Sequence, residues 1–480
     1  MTTTRTGNPK TVVVAGAGIS GLATAYYIRN NAAKAGLEVR VLVIEKDARI
    51  GGKLGTDKGN GFIVEMGPDS VFASDQQMLQ LFRDLGLEGR IIHQSTENQG
   101  TYILKRGAMH KLPEGMAGML PTKLLPLLAT PLISPQGKLR AALEVFVPRS
   151  IKYDESIASF VRRRFGGEVY DAIAEPLCGV VYAVNPEHAS VHRTLPYLAR
   201  IEAERRSVLL AGLASKKGRE GSPPQQFVSF RGGMSELVVA LADSIGTDNI
   251  MAGTAVEALY PVNGSEGRYA VRAGGKSTEA DAVVLAVPAY ELSRLAAGID
   301  KKIAVGAGTI KYSTLAIVTL AYGPGAVDGR LRGNGVLVPC KENRSINAIT
   351  ISSNKWAGRA PEGHSLLRCY FNDSYTSAHV SLDDTALVLL AREELNEIAG
   401  IREKPLFSMV QRWERGMPIY SIGSSARTAA IENAAKSHPG FFAVGAWKAG
   451  IGVPRCIADA RTTAERVIKY LKGENNGDAT

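Results

Sequence analysis

Three glycines close to the start of the chain have the spacing of a loop that binds a pyrophosphate. Gly16, Gly18 and Gly21 form the pattern G-x-G-x-x-G, and they stand between a strand-like run, 11–15, and a helix-like run, 22–28. The first glycine permits a tight turn, the second lets the backbone approach the pyrophosphate, and the third lets the helix pack on the sheet. The pyrophosphate then lies on free N–H groups at the positive end of the helix dipole.

A carboxylate stands where the same site needs one. Glu45 directly follows a second strand-like run, 39–44, at the distance along the chain where an acidic residue binds the 2′-hydroxyl of an adenosine ribose. Glycines with this spacing often mark only a turn, but the flanking strands and the acid together predict a bound dinucleotide.

Two further glycine segments bear on which dinucleotide is bound. Gly51 and Gly52 precede Lys53, and they offer backbone N–H donors and a positive charge to the same pyrophosphate. Near the C-terminus a strand-like run, 441–447, leads into a glycine-rich loop and helix start, 450–457. An ordinary strand, loop and helix would explain either segment alone. A chain that returns at its end to a site begun at its start indicates a long cofactor, which favours FAD over NAD.

The elements that must position these groups come from separated parts of the chain. The motifs predict an α/β fold with a discontinuous, Rossmann-like FAD-binding domain formed by residues 1–86, 226–298 and 423–480. Residues 96–206 are expected to be helical, and residues 299–422 are expected to form a substrate-binding domain built on an antiparallel sheet. The elements predicted for that domain are strands at 314–320 and 365–371 and a covering helix at 382–398.

Composition sets further limits. The chain has 480 residues and a mass of 51.2 kDa, which predicts two or three domains. Its four cysteines are scattered, so neither a disulfide framework nor a metal site is expected, as is typical of a reducing cytoplasm. Residues 1–10 are polar, and no signal peptide is expected there.

The net charge of +11 indicates a basic surface, an acidic small-molecule substrate or contact with an anionic membrane surface. Nucleic acid is not expected as a partner, because the only run of three basic residues, Arg162–Arg164, lies among apolar residues typical of an amphipathic helix. The apolar run 118–135 is too short and too interrupted by proline to span a bilayer.

The order and spacing of several motifs resemble one known family. The chain is similar to the amine-oxidase-like flavoprotein superfamily at 16–21, 51–52, 230–237 and 445–457. Within that superfamily it resembles the bacterial porphyrinogen oxidases of haem biosynthesis at 67–70 (GPDS), 85–87 (LGL), 175–177 (EPL), 185–186 (NP), 412–413 (RW), 417–420 (MPIY) and 452–457 (GVPRCI). The resemblance runs nearly from end to end.

This resemblance implies a reaction carried out by a flavin. The family oxidises protoporphyrinogen IX or coproporphyrinogen III, which carry two and four propionates, to the porphyrin. Non-covalently bound FAD accepts hydrides in three two-electron steps, and dioxygen reoxidises it with release of hydrogen peroxide. The protein then supplies position, electrostatics and an apolar slot, which explains why the sequence shows no Ser/His/Asp set and no carboxylate pair.

The resemblance also implies which residues line the site. FAD contacts are expected from Gly16, Ala17, Gly18, Ile19, Ser20, Gly21, Glu45, Lys46, Gly51, Gly52, Lys53, Gly67, Pro68, Asp69, Ser70, Val256, Trp413, Ile451, Gly452 and Val453. Asp69 is expected to be the polar residue near both flavin and substrate, and it is the one candidate for a catalytic side chain. A turn former after Pro68 is the alternative role for Asp69, and a core aromatic is the alternative for Trp413.

Three departures from the family bear on recognition. Lys53 stands where Arg is commoner, which keeps the charge but loses the bidentate fork. Glu88 follows Leu-Gly-Leu, where plant mitochondrial relatives carry an Arg that can meet a propionate. The run 180–184 is bulkier than in many relatives. No propionate-binding residue is therefore assigned.

Two other functions share this scaffold. The second hypothesis is an amine oxidase or a carotenoid-desaturase-like enzyme. An amine oxidase places a Lys near the flavin, and Lys311 could have that role, but Ala446 and Trp447 occupy the place of the aromatic pair that an amine oxidase uses. A vestigial flavin-binding subunit of a haem-pathway complex is the third hypothesis, and the intact FAD motifs argue against it. The family resemblance also implies a cytoplasmic location, peripheral membrane contact through 96–206 and handover of product to a ferrochelatase.

Overall fold

The computed structural model describes residues 9–72, 76–97, 99–150, 153–215, 227–262, 264–265, 267–373 and 379–474. The strands, in chain order, are β1 (Lys10–Ala15), β2 (Val39–Ile44), β3 (Thr56–Gly59), β4 (Phe62–Glu65), β5 (Val71–Phe72), β6 (Ile91–His93), β7 (Thr101–Lys105), β8 (Ala108–Lys111), β9 (Met116–Ala117), β10 (Leu120–Pro121), β11 (Phe227–Phe230), β12 (Ile250–Met251), β13 (Val256–Pro261), β14 (Tyr269–Ala273), β15 (Lys276–Ala280), β16 (Ala282–Leu285), β17 (Tyr312–Tyr322), β18 (Gly335–Leu337), β19 (Ala348–Ile351), β20 (Ser365–Asn372), β21 (Phe407–Pro418) and β22 (Phe441–Ala443).

The α-helices span Ile19–Lys34, Gln76–Asp84, Leu124–Ala129, Pro135–Ala142, Ile157–Phe165, Gly167–Val169, Glu175–Val181, Val191–Thr194, Pro196–Arg205, Val208–Leu213, Ser235–Ile245, Ala289–Ala296, Lys301–Gly308, Ser352–Lys355, Asp384–Ala399, Ser424–Lys436, Ala446–Ala449 and Val453–Leu471. A π-helical turn, Tyr170–Ala174, runs directly into the helix that begins at Glu175.

One sheet of the fold is parallel and has five strands in the order β12-β2-β1-β16-β22. Alternate residues of β1 enter two different cores: Val12 and Val14 pack with the first and last helices, whereas Val13 packs with the helices and strands of 256–307. A parallel sheet needs cover on both faces, and here widely separated parts of the chain provide it.

A second sheet has seven strands in the order β21-β17-β20-β19-β18-β7-β8, and it is antiparallel except between β18 and β7. The predicted strands at 314–320 and 365–371 lie within β17 and β20, and the structure pairs these two strands antiparallel to each other. The side chains of β20 alternate, so Leu367 and Phe371 pack against helix Asp384–Ala399, whereas Arg368 and Tyr370 point to the opposite, inner face of the sheet.

The region 96–206 differs from the helical prediction at its start. Strands β7 to β10 precede its first helix, and β7 joins the seven-stranded sheet by parallel pairing with β18. The hairpin between β7 and β8 turns at Arg106 and Gly107, both with positive φ. The pairing of β7 with β18 joins segments more than two hundred residues apart, so the local sequence pattern does not show it.

From residue 124 onward this region is helical, and a buried ionic network holds it together. Arg164 is fully buried, and its guanidinium is 2.5 Å from Glu144 and 2.6 Å from Glu202. Its neighbour Arg163 pairs with Glu155 at 2.5 Å. Arg163 and Arg164 therefore serve internal ion pairs. Among the helices of the described chain, none is long and apolar enough to cross a membrane.

Candidate cofactor site and active site

The three N-terminal glycines meet different surroundings. A Cβ added to Gly16, whose φ is +101°, would lie 2.5 Å from the carbonyl oxygen of Ala286. A Cβ added to Gly21 would lie 1.8 Å from the carbonyl oxygen of Gly16, so close packing requires glycine at both positions. A Cβ added to Gly18 would meet no atom within 4 Å. The space beside Gly18 is therefore open at the point where a pyrophosphate is expected.

The first helix begins at this open space. Gly18 is its N-cap, no side chain caps it, and its first turn contains no acidic residue. The last helix, Val453–Leu471, begins in the same way after Gly452, and the two helices pack together in one core. Two uncapped, positively polarised helix ends suit an anionic cofactor that extends between them.

Glu45 is fixed at the end of β2. Its carboxylate accepts hydrogen bonds from the N–H of Ala17, at 2.7 Å, and from the N–H of Asp47, at 3.0 Å. Carboxylate oxygens can accept further bonds, so a ribose hydroxyl can bind to the same group. Val256 lies close by, because the N–H of Thr254 donates to the backbone oxygen of Glu45 at 2.8 Å.

The second glycine pair packs against the first loop. The N–H of Gly51 donates to the carbonyl oxygen of Ala17 at 2.8 Å, and a Cβ added to Gly52 would lie 3.2 Å from the Cα of Gly18. Burial lowers the pKa of Lys53, which lies beside Cys456 of the last helix. Across the described ranges its ammonium has no hydrogen-bond or ion-pair partner. An unpaired, partly buried ammonium is what an anionic group of FAD would neutralise.

The segment from Met66 to Ser70 is held by side chains from the second sheet. Trp413 donates from Nε1 to the carbonyl oxygen of Met66 at 2.8 Å, and Arg368 donates to the carbonyl oxygen of Gly67 at 2.6 Å. Pro68 of this segment is exposed. A Cβ added to Gly67 would lie 2.1 Å from the carbonyl oxygen of Lys53, so the segment also packs on the glycine-pair loop.

Asp69 lies in a buried ion pair that the sequence analysis did not predict. Its carboxylate accepts hydrogen bonds from Lys355 at 2.8 and 2.9 Å, from Trp356 at 3.2 Å and from Ser70 at 2.7 Å. Burial alone would raise the pKa of Asp69, but the charges of Lys355 and Arg368 outweigh it and hold that pKa well below its usual range. These charges therefore favour the ionised form of Asp69, and its catalytic role stays a prediction.

The inner face of the seven-stranded sheet forms one wall beside this segment. Trp413 and Asn372 flank Leu315 across three strands. Asn372 donates to the carbonyl oxygen of Gly179 at 3.4 Å, and Tyr370 packs with apolar residues of the helix Glu175–Val181. The inner face of the sheet and this helix therefore pack together beside the residues that are predicted to contact FAD.

The residues singled out for an amine oxidase do not form a cage. Trp447 is buried in the core of the parallel sheet, and Lys311 is exposed just before β17. The run 180–184 is partly internal: Val184 is buried among the helices, and Ala183 adopts a φ of +49° while its carbonyl oxygen accepts a 2.8 Å hydrogen bond from Ser313.

The chain matches the family model described as flavin containing amine oxidoreductase over residues 19–468. It is 32% identical to a coproporphyrinogen III oxidase of Bacillus subtilis, over 96% of this chain and 98% of that protein. It is 30% identical to a coproporphyrinogen III oxidase of Propionibacterium freudenreichii, over 95% and 90% of the two chains. A crystal structure from Exiguobacterium sp. 255-15, assigned as a protoporphyrinogen oxidase, has a TM-score of 0.84, 26% identity and coverage of 97% and 99%. The chain therefore belongs to the flavin-containing amine oxidoreductase family, and FAD is its cofactor.

Proposed function

We propose that this protein oxidises a porphyrinogen to the porphyrin in haem biosynthesis. The observation that carries the proposal is similarity over nearly the whole chain to oxidases named for coproporphyrinogen III. The amine-oxidase and desaturase alternative has less support, because Trp447 belongs to the core and Lys311 is exposed.

The reaction removes six hydrogens from the methylene-bridged ring, as three hydrides and three protons. When bound, FAD supplies the hydride acceptor, and dioxygen is the proposed final acceptor, so three dioxygen molecules become three molecules of hydrogen peroxide. The chain's own side chains bind and orient the ring and exclude water. The apolar contact between helix Glu175–Val181 and the inner face of the sheet, the face that also carries Trp413, supports a ring-binding site beside it.

We propose coproporphyrinogen III as the substrate, with protoporphyrinogen IX as the alternative. Both curated relatives described above are named for coproporphyrinogen III. Its four carboxylates also suit a chain with a net charge of +11.

One cation close to the proposed substrate region has no carboxylate of its own. Arg455 is exposed, and its side chain lies against Gly450, where an added Cβ would be 2.7 Å from Nη1. Burial raises the pKa of Tyr182 to about 12, and the nearby charge of Arg455 opposes that shift. In the described part of the chain, Arg455 forms no ion pair. We propose that it binds a substrate propionate.

We propose that FAD binding, substrate binding and membrane contact belong to the separate domains predicted from the sequence. Residues 1–86, 226–298 and 423–480 would bind FAD, residues 299–422 would bind substrate, and residues 96–206 would meet the membrane and substrate. The same proposal includes transfer of the porphyrin to a ferrochelatase.

Exposed apolar side chains support peripheral membrane contact. Leu125, Leu139 and Phe146 are 78%, 67% and 72% exposed, and the exposed Lys123 precedes them. Such a surface suits the interface of an anionic bilayer. We expect the protein to sediment with anionic vesicles, and L125D to weaken this without loss of FAD. Equal sedimentation of both proteins would count against this surface.

Anaerobic mixing with coproporphyrinogen III tests the proposed reaction. The flavin absorbance of the purified holoenzyme should bleach when substrate is added and return when dioxygen is admitted. Bleaching by an amine, with no response to either porphyrinogen, would favour the amine-oxidase alternative instead.

A further inference from the structure

Residues 67–70 are expected to contact FAD, yet the groups that fix the segment 66–70 come from the other sheet. Trp413 and Arg368 bind its backbone carbonyls from β21 and β20. Lys355, at the end of helix Ser352–Lys355, and Trp356, which follows it, bind Asp69. All four donors therefore belong to the part of the chain proposed to bind substrate.

These contacts are buried and charged. Asp69 is 8% exposed, and Arg368 is 1% exposed. Nearby, Arg359 faces Glu65 at 3.4 Å, so three cations meet two carboxylates. The cation without a carboxylate of its own is Arg368, whose Nε has no partner within the residues that the structure describes. A buried guanidinium is costly, and here one of its bonds goes to the backbone of the segment.

We propose that Lys355 and Arg368 are positioning residues, which fasten the FAD-contacting segment to the substrate-facing sheet, with Asp69 as their anchor rather than a proton-transfer group. The inference rests on the proposed function for the identity of the substrate. Its consequence for FAD can be measured without any substrate.

The register of β20 shows why such fastening matters. Tyr370 stands two residues from Arg368 on the same inner face, and Asn372 stands two residues further along. One rigid strand therefore carries both the group that holds the flavin segment and the groups that face the proposed substrate region. This strand sets the distance between flavin and substrate.

Lys355→Met tests the proposal, with Asp69→Asn and the double variant completing a cycle. The matched control is Arg344→Met, because Arg344 is another half-buried cation of this sheet region that pairs with Glu394 and Glu397 of the covering helix instead. The measurements are the affinity of the apoprotein for FAD, the visible circular dichroism of the bound flavin and the melting temperature.

Lys355→Met should bind FAD about tenfold more weakly and alter the flavin dichroism, and the double variant should be no worse than Lys355→Met alone, since both remove one interaction. Arg344→Met should keep the wild-type flavin dichroism and FAD affinity, even if its melting temperature falls. If Lys355→Met also keeps both, the proposal is overturned.

A second variant and a kinetic measurement distinguish the positioning role from misfolding and from failure of the proposed function. Asp69→Asn keeps the shape of the side chain, so it provides the same readout if Lys355→Met fails to fold. With substrate, Lys355→Met should lower kcat more than it changes KM, since it misplaces the flavin and not the substrate. A wild-type protein that turns over no porphyrinogen would defeat the proposed function, while the flavin results would still decide the positioning role.

Discussion

The indole of Trp413 donates a 2.8 Å hydrogen bond to the carbonyl oxygen of Met66. Trp413 lies on β21 of the seven-stranded sheet, next to a bulge that shifts the register against β17. Bulges commonly re-aim a side chain beside an active site. This bond therefore joins the proposed substrate wall to Met66, directly before the residues 67–70 that are predicted to contact FAD.

Replacing Trp413 with Phe should separate the contribution of the aromatic ring from that of the hydrogen bond to Met66. Phe keeps an aromatic ring but cannot donate to Met66, so the lost hydrogen bond should weaken FAD binding about fivefold to tenfold. Titration of apoprotein with FAD, followed by flavin fluorescence, measures this. If affinity and flavin spectrum are unchanged, Trp413 is only a core aromatic.

Gly18→Val should abolish FAD retention while leaving the fold intact. The added side chain meets no protein atom within 4 Å at its Cβ, so it would fill only the space proposed for the pyrophosphate. Gly89→Val is the control, because a Cβ there also meets nothing within 4 Å. Flavin absorbance of the purified proteins and their melting curves are the measurements, and retained FAD in Gly18→Val would disprove the assignment of this loop.

Lys53→Met should weaken FAD binding on the order of tenfold to hundredfold, because a charge-assisted bond to an anionic group is lost. The stability of the apoprotein should also depend on pH through the ammonium of Lys53. Burial lowers the pKa of Lys53 from 10.5, so between the lowered value and 10.5 the unfolded chain binds a proton that the folded chain has released.

Stability of the apoprotein should therefore rise with pH across that window, whereas FAD affinity should fall as Lys53 loses its charge. Lys53→Met should remove both dependences. Urea unfolding of the apoprotein and FAD titration, each at a series of pH values, provide the comparison. Identical pH profiles in the two proteins would mean that Lys53 does not bind the cofactor.

Arg455→Gln should raise KM for coproporphyrinogen III about threefold to fivefold with little change in kcat, because an exposed ion pair contributes modest, uniform binding. Lys469→Gln on the same helix is the control, since it removes the same charge from an exposed position. An equal rise of KM in both variants would point to net charge, and no rise in either would exclude a propionate contact at Arg455.

The parts of the site that are local in sequence could be predicted. The glycine loop, Glu45 and the glycine pair with Lys53 each lie next to the strand or helix that presents them, so spacing alone indicates their arrangement. Two apolar runs also predict strands of an antiparallel sheet at 314–320 and 365–371, and the structure confirms both strands as β17 and β20.

Contacts between distant segments could not be predicted. Arg368 is 301 residues from Gly67, and Lys355 is 286 residues from Asp69. Both cations lie in segments whose local pattern indicates only a strand or a loop. The same reason accounts for the strands at the start of 96–206, because β7 finds its partner β18 only in the folded chain.

Aerobic turnover of the purified holoenzyme with coproporphyrinogen III and protoporphyrinogen IX, side by side, tests the central claim most directly. Porphyrin fluorescence and hydrogen peroxide should rise together, with three peroxide molecules for each porphyrin, and faster with coproporphyrinogen III. Bound FAD that yields neither porphyrin nor peroxide from either substrate would contradict the account.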